Sequence, residues 1–148
     1  MKLILSLLIP QLAGAVGALF TVNAIPIWYK FLNKPSFSPP NWLFGPAWLI
    51  LYLMMGVALY FNWIKNSKQA KSNVRLFFIH FFFNLIWTPI FFGAKNLSLA
   101  LIVIIWILIV VMIFKFWKVN KVSSLLLIPY LLLISFVSAL NYWVWRLN

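Results

Sequence analysis

Asn84 and Trp87 stand three residues apart in a charge-free stretch, so a helix there carries an amide and an indole on one face. A side chain that hydrogen-bonds beside a large flat one suits a flat, mostly apolar ligand with a few polar groups. Trp48 is another tryptophan placed well inside an apolar segment. Its indole N–H, like that of Trp87, needs a partner when buried, and the two rings serve either as packing residues or as the wall of a pocket. Asn84 and Asn141 are amides in apolar surroundings, where the ordinary role is hydrogen bonding between helices and the alternative is ligand contact. Pro89 removes a helix hydrogen bond and frees a carbonyl near Trp87, which serves a pocket or merely shapes the helix. His80 is the one imidazole in the chain; it reads as structural, with axial ligation of haem as the rival.

What is missing narrows the chemistry further. The 148 residues include no Asp, no Glu and no Cys, against 12 Lys and Arg, for a formal net charge of +12. That excludes carboxylate-pair hydrolysis, an Asp-held Mg²⁺ and an intramembrane carboxylate proton relay. One His without an acid supports neither a catalytic triad nor a protein-only metal cage, and thiolate chemistry is absent. Hydrophobic residues make up 66% of the chain and charged residues 8%, far from the roughly one-quarter charged content of soluble domains. In so apolar a chain the positive charge points to anionic lipid headgroups and membrane orientation rather than to nucleic acid.

The elements that position these residues follow from the cost of placing Lys or Arg in a bilayer, which makes charges mark the ends of spans. The chain is thus expected to be an all-α membrane protein, a single domain over residues 1–148 built as one bundle of five transmembrane helices: Leu3–Val22, Trp42–Ile64, Leu76–Phe92, Leu97–Trp117 and Leu125–Trp145. A proline-rich first loop, 23–40, ends in Pro39 and Pro40, which can start the second helix. Lys65–Arg75, Gly93–Asn96 and Lys118–Ser124 form the other connections. Eight of the 12 cations (Lys2, Lys65, Lys68, Lys71, Arg75, Lys115, Lys118, Lys121) fall on the N-terminal side and four (Lys30, Lys34, Lys95, Arg146) on the other. The N-terminus is therefore expected in the cytoplasm, and the first loop and C-terminus outside. Trp28, Tyr29, Trp63, Trp117, Trp143 and Trp145 lie near span ends, as interfacial aromatics do. The first span also has the form of a cleavable signal peptide. Its Gly14 and Ala18 form a small-residue pair suited to internal packing or to a dimer seam. Val137, Tyr142 and Arg146 fit a sterol-contact pattern, itself a weak signal, and Arg146 reads equally as a snorkelling anchor.

Longer motifs are more specific. Ala24-Ile-Pro-x-Trp28-Tyr29, Lys34-Pro-Ser-Phe-x-Pro-Pro-Asn-Trp42, Phe44-Gly-Pro-x-Trp48 and Leu51-Tyr52-x-Met-Met-Gly56 are followed by Asn84-x-x-Trp87-x-Pro-Ile-Phe-Phe-Gly93, Pro129-Tyr130 and Ala139-Leu-Asn-Tyr142-x-Val-Trp-Arg146. In that order, and over nearly the whole chain, they resemble the translocator protein family, also called TspO, the tryptophan-rich sensory proteins or the peripheral-type benzodiazepine receptors. The resemblance implies a five-helix bundle, often a homodimer, with a ligand cavity beneath the first loop and the first helix retained. It implies binding of porphyrins such as protoporphyrin IX and haem, of sterols, and of synthetic benzodiazepine-site ligands, with no cofactor required beyond the porphyrin as ligand. Tyr29, Trp48, Tyr52, Asn84, Trp87 and Val137 are the implied cavity residues. Val137, Tyr142 and Arg146 are the implied sterol-contact residues.

The chain departs from the family at Leu133, where many members carry Trp. Porphyrin photodegradation in the family is assigned to a tryptophan pair, here Trp48 and the missing one, so a binding protein that senses or carries tetrapyrroles is expected ahead of a light-dependent enzyme or a membrane scaffold. Val103 replaces an acidic residue frequent in the fourth helix, and Val137 is larger than the small residue usual before Ser138. Aromatic walls with cations or N–H donors at the rim suit a disc with two propionates. Lys30 and Lys34 are the rim candidates, with solvated loop charges as the plainer reading. Ten Lys to two Arg fit a prokaryotic plasma membrane.

Overall fold

A computed structural model describes the backbone of every residue except Trp28, and the side chains of all but Ile25, Trp28, Tyr29, Phe92 and Lys95. Long helices dominate because backbone N–H and C=O groups in hydrocarbon must be satisfied within the segment. They are α1 (Lys2–Ile27), α2 (Asn41–Trp63), α3 (Lys68–Gly93), α4 (Lys95–Trp117), the short α5 (Lys121–Leu125) and α6 (Ile128–Leu147), with a 3₁₀ turn at Tyr29–Phe31. Five segments are long and apolar enough to cross a membrane: Lys2–Ala24, Asn41–Trp63, Lys68–Phe91, Asn96–Trp117 and Lys121–Leu147. The 23 residues of α2 extend for about 35 Å, enough to span a hydrocarbon core of about 30 Å.

Several boundaries differ from the sequence expectation. Helix α1 continues to Ile27, five residues beyond Val22 and into the expected first loop, and α4 starts at Lys95, inside the expected Gly93–Asn96 turn. The third span begins at Lys68, eight residues before Leu76, so Lys71 and Arg75 lie on a helix that continues beyond the apolar stretch. Ser67 caps it, its hydroxyl accepting from the Ala70 N–H at 3.1 Å. The connection expected at Lys118–Ser124 contains α5, capped by Asn120 through the Ser123 N–H at 3.0 Å. Pro129 stands in the first turn of α6, where its missing N–H costs nothing. Pro40 caps α2 from outside, so the prolines precede that helix rather than open it.

Helix α1 packs against α2 and α3, α3 against α4, α4 against α6, and α5 against α2. Glycine permits the tightest of these contacts. A Cβ on Gly56 would lie 2.5 Å from the Ser6 carbonyl oxygen and 3.0 Å from Leu7 Cα, so α1 and α2 meet there backbone to backbone. At the eight-cation end, Asn73 donates to the Asn62 carbonyl oxygen (2.7 Å) and to the Lys115 main-chain carbonyl (3.2 Å). Asn62 donates in turn to the Ser123 hydroxyl at 2.8 Å. These fully buried side chains join α2, α3, α4 and α5. At the opposite end the Asn148 amide donates to the Asn33 carbonyl (2.8 Å) and accepts from the Asn33 N–H (3.0 Å), which fastens the first loop to the end of α6. Trp117, Trp143 and Trp145 stay exposed near helix ends, and Trp63 is half-buried. Trp28 lies outside the described residues.

Candidate functional site

The half of the bundle next to the first loop encloses a cavity of about 700 Å³. Every long helix contributes: α1 with Ala13, Gly14, Gly17 and Ala18, α2 with Trp48 and Tyr52, α3 with Asn84 and Trp87, α4 with Ile102 and Ile105, and α6 with Val137 and Asn141. The middle of the α1 wall, between Gln11 and Thr21, is lined by small residues, and at two of them neighbours come close. A Cβ on Gly14 would sit 3.2 Å from the Tyr52 ring, and one on Gly17 3.3 Å from the Thr88 hydroxyl. Gly14 thus packs inward, and Ala18 is exposed and lines the cavity.

Aromatic rings form the walls. The Trp48 ring centroid is 5.3 Å from that of Tyr52 and 6.1 Å, edge-on, from that of Tyr130. Trp87 stacks on Phe91 at 5.3 Å. Beneath them runs a buried hydrogen-bond chain. The Tyr52 hydroxyl donates to Asn84 Oδ1 at 2.9 Å, Asn84 Nδ2 donates to the Tyr130 hydroxyl, and that hydroxyl lies 3.2 Å from His80 Nε2. Asn84 is therefore both an interhelical tie and part of the cavity lining.

Three buried side-chain nitrogens among the described residues lack a hydrogen-bond partner: His80 Nδ1, Trp87 Nε1 and Asn141 Nδ2. Two of them, on Trp87 and Asn141, belong to residues that line the cavity. Asn141 is 3% exposed and its oxygen accepts from the Ser98 hydroxyl at 3.4 Å, so its amide nitrogen is the uncommitted end. By contrast, Trp106 Nε1 donates to Ser135 at 2.8 Å and Trp145 Nε1 to Asn96. Uncommitted donors in an apolar enclosure favour a ligand that brings acceptors, since leaving such groups unpaired is costly.

Of the residues expected to line a site, Trp48, Tyr52, Asn84, Trp87 and Val137 come together around this one cavity. The Tyr29 side chain lies outside the described residues. Tyr142 and Arg146 are elsewhere. They sit on the exposed side of α6, where Arg146 donates to the Tyr142 hydroxyl at 3.2 Å and its guanidinium lies 5.9 Å from the Trp143 ring. Five residues of helix turn Tyr142 about 140° away from Val137, so Val137 lines the cavity while Tyr142 and Arg146 face the surface of the bundle. His80 is fully buried, its Nε2 held at Tyr130, and it is absent from the cavity lining. Lys30 and Lys34 are not among the described lining residues, which include no cation. Leu133 packs against the core cluster rather than into the cavity, and Val103 is exposed on α4. The Tyr130 and His80 links, Gly17 and Thr88 were not singled out as site residues; the Pro129-Tyr130 motif was the available signal for the first.

Comparison with known proteins follows the same line. A model of the TspO/MBR family matches residues 6–146. The chain is 43% identical to the tryptophan-rich protein TspO of Chlorobaculum tepidum over 91% of its own length and 88% of that protein's. Identity to the tryptophan-rich protein TspO of Archaeoglobus fulgidus is 39%, covering 100% and 97% of the two chains. The human translocator protein is 34% identical over 95% of this chain and 86% of its own.

Proposed function

The chain belongs to the TspO/MBR family, and on that premise we propose that it is an integral membrane protein that binds porphyrins (protoporphyrin IX or haem) and sterol-like hydrophobes as a tetrapyrrole sensor or carrier. The observation that carries this reading is the aromatic-walled cavity of about 700 Å³ with two uncommitted N–H donors, on Trp87 and Asn141. A broad apolar disc fills such walls, and its peripheral oxygens supply the acceptors these donors lack. The lining residues Trp48, Tyr52, Asn84, Trp87 and Val137 are the proposed contacts, with Tyr29 from the first loop. A cytoplasmic N-terminus in a prokaryotic plasma membrane and a homodimer complete the proposal.

The test is a dark titration of the purified protein with protoporphyrin IX, followed by tryptophan fluorescence and then by irradiation of the same sample. Saturable quenching that weakens in both Trp48→Ala and Trp87→Ala, with porphyrin absorbance stable under light, is expected. Equal affinity in both variants removes the proposed cavity contacts. Protein-dependent porphyrin loss under light replaces the binding role with an enzymatic one. Absence of saturable binding leaves a scaffold.

A further inference from the structure

We infer that the opposite end of the bundle carries a headgroup site for an anionic phospholipid, formed where Lys2, Lys65 and Lys71 meet between α1, α2 and α3. The three side chains line a second, polar pocket of about 290 Å³, together with Asn66, Trp63 and Val74. None of its residues belongs to the larger cavity. The Lys2 ammonium donates to the Trp63 main-chain carbonyl at 3.2 Å, which holds it at the rim while its remaining donors stay available.

Three lysines converging on one concave surface repel one another, and the chain has no Asp or Glu to offset them. The counter-charge must come from outside the protein. A phosphodiester supplies it.

Position selects a lipid over a dissolved anion. The pocket lies at the start of α1 and the end of α2, both candidate membrane spans, with Trp63 at the boundary where aromatic residues mark the headgroup layer. Ile64 on the pocket wall is 45% exposed, and Leu3, Ile4 and Leu5 beside Lys2 are exposed as well, a surface for the acyl chains that a free phosphate does not have.

The experiment follows the melting temperature of the full chain in a neutral detergent during titration with phosphatidylglycerol, phosphatidylcholine or inorganic phosphate, because a ligand of the folded state raises that temperature saturably. Phosphatidylglycerol should stabilise with an apparent affinity reduced at least about tenfold in Lys2→Gln/Lys65→Gln/Lys71→Gln. The control Lys68→Gln/Lys118→Gln/Lys121→Gln, with the same loss of charge outside the pocket, should stay within about threefold of the parent. Lys2→Arg/Lys65→Arg/Lys71→Arg should retain binding, since guanidinium also grips phosphate. Lys65→Gln alone, in an exposed turn that does not threaten folding, should shift in the same direction as the triple. Equal losses in the pocket and control triples overturn the site in favour of diffuse attraction. Phosphatidylcholine matching phosphatidylglycerol overturns its charge selectivity, and inorganic phosphate matching the lipid overturns the lipid assignment.

Discussion

Asn84 is committed at both ends of its amide, accepting from Tyr52 and donating to Tyr130. Asn84→Leu strands the buried Tyr52 hydroxyl and leaves that of Tyr130 with His80 alone. A loss of about 1–2 kcal/mol is expected, since hydrogen bonds between membrane helices contribute less than deletion in a dry core suggests. Unfolding of the reconstituted protein in a denaturing detergent measures it, and Asn84→Ala should show the same direction. Trp87 is the opposite case, a ring with an uncommitted donor. Trp87→Phe keeps an aromatic wall and removes the N–H. It should leave stability nearly unchanged while weakening an acceptor-bearing ligand by about 3–10-fold, the range of one net hydrogen bond; a dark porphyrin titration reads that ratio. At this scale the three-residue spacing of Asn84 and Trp87 was legible in the sequence. The His80–Tyr130 partnership, 50 residues apart in the chain, was not, because no local pattern connects them. Asn62 and Asn73 escaped notice for a related reason: each stands near charged residues that mark a span end, where an amide looks solvated, yet both are fully buried.

Helices explain why those residues meet. The contact at Gly56 leaves no room for even one added carbon beside the Ser6 carbonyl. Gly56→Leu should separate α1 from α2 and destabilise the bundle by about 1–3 kcal/mol, as overpacking does. The same variant should perturb ligand affinity, although Gly56 lies outside the cavity lining, because α1 is a wall of that cavity. Melting and porphyrin titration of one preparation check both. The expected and observed starts of the third span, Leu76 and Lys68, differ for a physical reason. Charge locates the edge of the hydrocarbon, whereas a helix ends where its caps place it, and Ser67 caps α3 beyond that edge.

For the molecule as a whole, the two ends are chemically unlike. One gathers eight of the 12 cations and a polar pocket; the other contains the apolar cavity and four cations. The span count and this asymmetry were both legible, since they depend only on where Lys and Arg interrupt apolar runs. The cavity volume was not, because it depends on how far apart five helices stand. If the eight-cation end faces the cytoplasm, as proposed, a membrane-impermeant maleimide should label Ser36→Cys in intact cells and Asn66→Cys only after lysis. The chain has no native cysteine to blur the result. The α1 side of the cavity carries a further consequence. Ala13, Gly14, Gly17 and Ala18, in the middle of this face, have no side-chain torsions through which a wall can yield; rotamers can turn only at Gln11, Thr21 and Val22, which flank them. The middle of the face yields as a plank, by displacement of the helix against α2 and α3. The bulk of a guest is thereby converted into the position of α1, and the fold works as a calliper whose reading appears at the surface of the bundle.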